Sequence, residues 1–308
     1  MIDILMAVYN GGEFLGQQIE SIIAQTFTDW RLIIADDCSS DSSFDIACGY
    51  ARQYPDKIYA FRNETPTGSA KANFMQLTAS AEAEYIMFSD QDDFWLPHKL
   101  ERTMSKMHEL EQSCGDIPLL VHTELEIVGS TLEHIHDSFT RFQGLSPAAA
   151  SIERLAVQNN VTGCTTMINR RLLELVKDAD PQHMLMHDWW IAMAAAAFGR
   201  IGFVSEPTIK YRQHGGNQVG AVNNRSIRGA LRIICDRMKT KKRVSLTYTQ
   251  AEHFYSCYRD ILPERERKML ELYIDIPKHK KLVRAFMLLR YGFLKQNFLT
   301  AAGQLVFC

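Results

Sequence analysis

Three carboxylates crowd the end of one apolar run. Residues 85–97 read Tyr-Ile-Met-Phe-Ser-Asp-Gln-Asp-Asp-Phe-Trp-Leu-Pro, so Asp90, Asp92 and Asp93 stand just past a candidate buried strand. Carboxylates in that position sit at the mouth of a crevice, where they can hold a hard cation such as Mg²⁺ or Mn²⁺ against a phosphate-bearing ligand. A solvated acidic turn has the same local composition, and the motif alone does not separate the two. Two further polar clusters have the same placement: Tyr9-Asn10 closes the run at 2–8, and Asp36-Asp37 closes the run at 31–35. Three loops issuing from one rim of a sheet would point into one crevice.

The elements that must position these loops alternate. Apolar runs at 2–8, 31–35, 58–61 and 85–89 read as strands. Between them lie helical patterns at 13–25, with Leu15, Ile19, Ile22 and Ile23 at helical spacing, from Ser40 or Asp41 to about residue 53, and at 70–81. Pro97 suits the first turn of a helix reaching about residue 112. Near-continuous apolar strands in a repeated β-α-β order predict an α/β fold with a mostly parallel central sheet flanked by helices. The middle is less regular, with strand candidates at 119–121, 125–128, 161–169, 201–204 and 208–212, an irregular stretch at 141–160, and a helix at 187–197. Beyond residue 220 helices with basic faces take over, so a boundary near 225 separates a catalytic unit, 1–224, from a helical, basic C-terminal extension, 225–308.

Bulk properties narrow the class. The 308 residues carry a net charge of −2, with 46% hydrophobic and 23% charged residues, which is ordinary for a soluble globular protein and gives no reason to expect nucleic acid as a partner. Seven Cys, at 38, 48, 114, 164, 235, 257 and 308, form no CxxC pair, which fits reduced cytosolic thiols rather than a disulfide framework or a zinc site. The first residues lack a basic start and a small-residue cleavage site, and no apolar stretch reaches the roughly 18 residues needed to span a bilayer.

Seven segments in order carry a resemblance. They are Met6-Ala7-Val8-Tyr9-Asn10, Ser21-Ile22-Ile23-Ala24-Gln25-Thr26, Ile34 to Asp41, the Asp-x-Asp element Asp90-Gln91-Asp92, Asn160 to Cys164, and the pair His187-Asp188-Trp189-Trp190 with Tyr211 to Asn217. Together, over residues 4 to about 220, they resemble the family 2 inverting glycosyltransferases with the A-type nucleotide-sugar fold, and the downstream segments look like that family's rhamnosyltransferase-like branch.

The resemblance implies transfer of a sugar from a nucleoside diphosphate, dTDP-rhamnose favoured, to an acceptor hydroxyl on a glycan or lipid-linked glycan in cell-surface polysaccharide synthesis. It implies Mg²⁺ or Mn²⁺ as cofactor, with Asp92 as the main ligand and His214 completing the metal shell or reaching the diphosphate. Ala7, Tyr9, Asn10, Asp37, Lys71, Asp90 and Gln91 would line the donor cleft, with Asp37 accepting from the ring N–H of uracil or thymine. Asp188 would be the general base, and Thr162, Gly163, Trp189 and Trp190 the sugar and acceptor pocket. Gly215 and Gly216 would let their loop close over the donor.

Each role has a plainer counterpart. Tyr9 also reads as a half-buried strand-end aromatic, Lys71 as a solvated helix-face lysine, His214 as a structural histidine, and Asp188 as a helix N-cap. Asp93 could hold its loop by accepting backbone N–H bonds, and Asp36 could cap the loop it begins. Residues 278–295 interleave six Lys and Arg with Leu282, Phe286, Leu289 and Phe293, which suits either a membrane-surface helix on the inner face of the cell membrane or a helix packed on the catalytic unit. A UDP-hexose donor and a non-catalytic nucleotide-sugar-binding scaffold are the competing functions.

Overall fold

The computed structural model describes residues 1–215 and 237–307. The expected boundary near 225, and Gly216 and Asn217 of the closing loop, lie outside the described residues.

The first four strands are β1 (Ile2–Val8), β2 (Trp30–Asp36), β3 (Ile58–Arg62) and β4 (Tyr85–Ser89). They run parallel in the order β3-β2-β1-β4. Their helices are α1 (Gly12–Ile23), α2 (Ser43–Gln53), α3 (Ala70–Leu77) and α4 (Lys99–Cys114). Because strand side chains alternate faces, each strand feeds two cores. Ile4, Met6, Val8, Leu32, Ile34 and Met87 pack with α1, α2 and α4. Leu5, Ile33, Ala35, Ile86 and Phe88 pack with α3 on the other face. Register then fixes the functional rim. Val8 pairs with Asp36, and Met6 with Ser89, so Tyr9, Asp37 and Asp90 leave the sheet along one edge.

The second half of the sheet is mixed rather than parallel. It comprises β5 (Phe94–Trp95), β6 (Leu119–Val128), β7 (His134–His136), β8 (Met167–Asn169) and β9 (Arg200–Arg212). The full order is β3-β2-β1-β4-β8-β6-β9-β5, with β7 paired to β6. β8 runs antiparallel to both β4 and β6, whereas β6 and β9 are parallel. The paired strand candidates at 119–128 and 201–212 are each one long strand, joined across register shifts near Thr123 and Glu124. The strand expected over 161–169 is only its last three residues. Ahead of it Gly163–Thr165 forms a 3₁₀ turn, in which the Thr165 and Thr166 hydroxyls donate to the Thr162 and Gly163 carbonyls (2.6 and 2.7 Å). Threonine hydroxyls that bond local carbonyls in this way compete with strand pairing.

Four more helices, α5 (Phe139–Gln143), α6 (Ile152–Leu155), α7 (Arg170–Val176) and α8 (His187–Phe198), complete the region up to residue 215. The C-terminal segment forms α9 (Arg237–Tyr258), α10 (Glu264–Asp275), α11 (Lys281–Tyr291) and α12 (Phe298–Phe307). These helices share a core with α8: Ala251, Phe254, Tyr258, Leu270, Tyr273, Leu288 and Phe293 belong to the same buried cluster as Trp190 to Ala195. Burial of each large apolar side chain contributes about 1.5–3 kcal/mol, so this seam holds the extension firmly on the sheet.

Candidate active site

A cavity of about 860 Å³ opens where the rim of β1, β2 and β4 meets α8 and α9. It is lined by Ala7, Tyr9, Asp37, Asp90, Gln91, Asp92, Thr162, Gly163, Asp188 and Trp189. Residues from opposite ends of the region up to residue 215 therefore face one space.

The donor-side wall is tightly braced. Asp37 is buried, and its Oδ1 accepts from Asn63 Nδ2 (2.9 Å) and the Thr67 backbone N–H (2.7 Å) while Oδ2 accepts from Thr67 Oγ1 (2.8 Å). A carboxylate has about four acceptor positions, so Oδ2 keeps one for another N–H donor. Asp36 lies behind it, accepting from the Ser39 backbone N–H and Arg62 Nε, as expected of a loop-capping residue. Gln91 clasps the neighbouring turn: its Oε1 accepts from the Tyr9 N–H (2.8 Å), and its Nε2 donates to the Tyr9 carbonyl (3.1 Å). A Cβ on Gly11 would fall 2.3 Å from this amide, so the turn needs glycine there. Asn10 adopts φ +48° and accepts from the Ser40 N–H. Asn tolerates the left-handed region better than most residues. Tyr9 is 59% exposed at the mouth.

The acidic cluster is electrostatically strained. Burial pushes the Asp90 carboxyl up to about 7, and the charges of Asp92 and Asp188 add to the push. Burial likewise lifts Asp93 well above the carboxylate range, with Asp92 and Asp90 adding to it. Asp93 Oδ1 accepts from the Arg212 N–H (3.2 Å), but its buried Oδ2 has no hydrogen-bond partner. His214 Nε2 lies 2.9 Å from Asp92 Oδ2, and its ring packs on Phe14. Adjacent ligands on an octahedral cation with bonds of about 2.1 Å stand about 3 Å apart, so the spacing of this one pair, and its carboxylate donor, fit Mg²⁺ or Mn²⁺. Cys164 approaches from below: its sulfur and one oxygen each of Asp90 and Asp93 lie within 4.8 Å of one another. Burial raises its thiol well above the ordinary value, so it stays protonated and suits a hard cation poorly.

Asp188 lies across the cavity in the first turn of α8, where the cap position is Met186, so it is not the N-cap. Its Oδ2 accepts from the Gly163 N–H (3.0 Å) and its Oδ1 from the Trp189 N–H (2.6 Å). Burial outweighs these bonds and lifts its pKa to about 6. Its charge is felt at Asp90, so the two ends of the site are in electrostatic contact.

Not every expected residue faces the cavity. Trp190 is 1% exposed and packs against Phe254 and Tyr258, with Nε1 donating to the Tyr258 hydroxyl. Successive helix residues point about 100° apart, so Trp189 and Trp190 cannot share one pocket, and only Trp189 lines it. Lys71 donates from Nζ to the Met184 carbonyl (2.5 Å), tying α3 to the segment before α8 instead of standing in solvent. Asn63 and Thr67, which set Asp37, carry no sequence signal because they lie in an ordinary polar turn. Lys99 was equally hidden: it is fully buried, its Nζ lies 4.6 Å from the Trp95 ring centroid, and burial lowers its pKa to about 7.

Comparison with known proteins gives a consistent picture. Residues 3–174 match the model of glycosyl transferase family 2. An uncharacterised glycosyltransferase of Nostoc sp. is 31% identical over 224 residues, covering 70% of this chain and 66% of that protein. The dTDP-rhamnosyl transferase RfbG of Shigella flexneri is 29% identical over 229 residues, covering 70% of this chain and 74% of its own. Among solved structures, S. aureus TarS in complex with UDP-GlcNAc superposes with a TM-score of 0.54 at 14% identity, covering 99% of this chain and 90% of that one. The mannosyltransferase PcManGT of Pyrobaculum calidifontis, in complex with GDP-Man and Mn²⁺, gives a TM-score of 0.56 at 14% identity over 94% of this chain and 72% of its own. The fold is that of the A-type nucleotide-sugar transferases, and the chain belongs to glycosyl transferase family 2.

Proposed function

We propose that this protein is a metal-dependent, inverting glycosyltransferase. It moves a sugar from a nucleoside diphosphate, with dTDP-rhamnose as the favoured donor, to a hydroxyl of a glycan or lipid-linked glycan in surface polysaccharide synthesis. The observation that carries the reading is the shared cavity of Asp37, the Asp90–Asp92 cluster and the raised carboxyl of Asp188. Likeness to a dTDP-rhamnosyl transferase supports the donor.

Two difficulties define the reaction: the diphosphate leaves with growing negative charge, and a hydroxyl is a weak nucleophile until it loses a proton. Asp92, with Asp90 and His214 beside it, would hold Mg²⁺ or Mn²⁺, which would supply Lewis-acid stabilisation of the leaving charge. The free acceptor position on Asp37 takes the ring N–H of the base, and the exposed face of Tyr9 stacks on the ring. Asp188 takes the proton from the acceptor hydroxyl, held in position by the Gly163 and Trp189 N–H groups. With a pKa of about 6 it is ionised in roughly ten of eleven molecules at pH 7. Trp189 lines the acceptor side with its indole N–H bound to the Leu155 carbonyl. One displacement assisted by one base inverts the anomeric centre.

Asp188→Asn should lower kcat about 100-fold or more while leaving donor affinity within twofold, measured by steady-state kinetics and calorimetry. In the parent enzyme kcat/KM should be level above pH 6 and fall about tenfold per unit below it, because protonation removes the base. Retention of a tenth of the activity in the variant would contradict the assignment. Asp37 does not separate thymine from uracil, since both present the same N3–H edge. A thermal-shift panel of nucleotide sugars with Mn²⁺ should show its largest rise with dTDP-rhamnose and little without the metal. A larger rise with a UDP-hexose would move the donor to that class.

The face of α11 supports contact with an anionic membrane surface. Leu282, Phe286 and Leu289 are 86%, 62% and 57% exposed and recur at spacings that share one helix face. Lys278, Lys280, Lys281 and Arg290 are exposed around them, which matches the charge of anionic headgroups. The protein should co-sediment with phosphatidylglycerol vesicles and not with phosphatidylcholine, and serine at all three apolar positions should release it. A parent protein that stays in the supernatant with both would refute membrane contact.

A further inference from the structure

The wall of the cavity formed by the C-terminal helices has a chemistry of its own. Arg243 on α9 and Lys295 between α11 and α12 both line it. Neither forms an ion pair or a side-chain hydrogen bond among the described residues. Lys295 is not a loose surface lysine. Its backbone N–H donates to Gln304 Oε1 (2.9 Å), and buried Gln304 donates from Nε2 to the Phe293 carbonyl (2.9 Å). The next residue is tied on both sides: the Gln296 N–H donates to Gln158 Oε1, and its own Oε1 accepts from the Ser146 N–H. Burial lowers the Lys295 ammonium pKa, and the nearby Arg243 guanidinium lowers it further. Two cations thus face the cavity on its C-terminal wall, and among the described residues neither is ion-paired with the carboxylates that line the rest of it.

Like charges held together in this way become favourable when an anion lies between them. The donor diphosphate already has its place beside Asp90 and Asp92. The helix α11, with its exposed apolar and basic face, ends four residues before Lys295. We propose that Arg243 and Lys295 form an anion subsite for the acceptor, and that the acceptor sugar carries a phosphate or diphosphate group. A phosphate monoester or diphosphate brings close to two negative charges at neutral pH and so matches two cations, whereas a sugar carboxylate brings one. The group comes either from a lipid diphosphate or from a free sugar phosphate. The proposal rests on the reading of Asp188 as the base at the acceptor hydroxyl, but its test requires no turnover.

The full chain, saturated with Mn²⁺ and dTDP to fill the donor side, is titrated calorimetrically with farnesyl diphosphate, farnesol and inorganic pyrophosphate. Farnesyl diphosphate should bind and farnesol should not. Arg243→Gln and Lys295→Gln should each weaken that binding about tenfold, with dTDP affinity unchanged, and Arg243→Lys should retain most of it. Arg243 is exposed, so its variants test the idea even if Lys295→Gln disturbs folding. Pyrophosphate binding as tightly as farnesyl diphosphate would support the subsite with a free phosphate as its source, and much weaker binding would support a lipid source. Unchanged binding in both Gln variants, farnesol binding as tightly as its diphosphate, or a parallel loss of dTDP affinity would overturn the proposal. The last result would assign the two cations to the donor.

Discussion

Mutual repulsion among buried carboxylates is the constraint around which this molecule is organised. Asp90, Asp92 and Asp93 share one loop, and Asp188 reaches them from another element. Burial and like charge both oppose ionisation of Asp90 and Asp93, and Lys99 and Arg212 compensate poorly. Lys99 is itself desolvated, and the Arg212 guanidinium donates from Nε to the Asp92 backbone carbonyl rather than to its carboxylate. A chain selected only for stability has no reason to retain such a cluster. A divalent cation would remove the conflict, and under the proposed function it would make the site a receptor for diphosphate.

The rest of the fold serves to hold those charges together. Four parallel strands in register send three loops off one edge, and each loop is braced by hydrogen bonds from a neighbour in addition to those from its own residues. Gln91 clasps the Tyr9 turn, Ser39 and Ser43 hold Asn10 and Gly11, and Asn63 with Thr67 fixes Asp37. The far wall comes from α8, whose first turn carries Asp188, and from C-terminal helices that share its apolar core. Movement of α9 would therefore be felt on the Asp188 side of the cavity.

Much of this arrangement is legible in the sequence, for a physical reason. Strands buried on both faces appear as unbroken apolar runs, and the carboxylates that follow them must emerge on one rim. That logic brings Asp37, Asp90 and Asp92 to one rim from the sequence alone, whereas Asp188, on a helix, is singled out only by the family resemblance. It works less well in the second half of the sheet, where polar residues, buried in β6 and exposed in β9, break the apolar runs. His122, Thr123 and Glu124 interrupt β6, and Ser205 and Glu206 interrupt β9, so each read as two pieces. The two-residue β5 is too short to leave a pattern. Side-chain direction was the other obscure quantity. Trp189 and Trp190 are alike as letters, but helix geometry turns one to the cavity and the other to the core. The braces Asn63, Thr67 and Lys99 are ordinary residues whose importance exists only in three dimensions.

The central claim is that one cation bound at Asp92 sits within reach of the acceptor wall. Fluorine NMR of 5-fluorotryptophan-labelled protein tests it, since the chain has four tryptophans, with resonances assigned by single Trp→Phe changes. Mn²⁺ with dTDP should broaden Trp95 and Trp189 strongly and Trp30 least, because Trp30 begins β2 at the end away from the rim, about 20 Å along the strand. Asp92→Asn should abolish the effect. Broadening that is strongest at Trp30, or that persists unchanged in Asp92→Asn, would contradict the account.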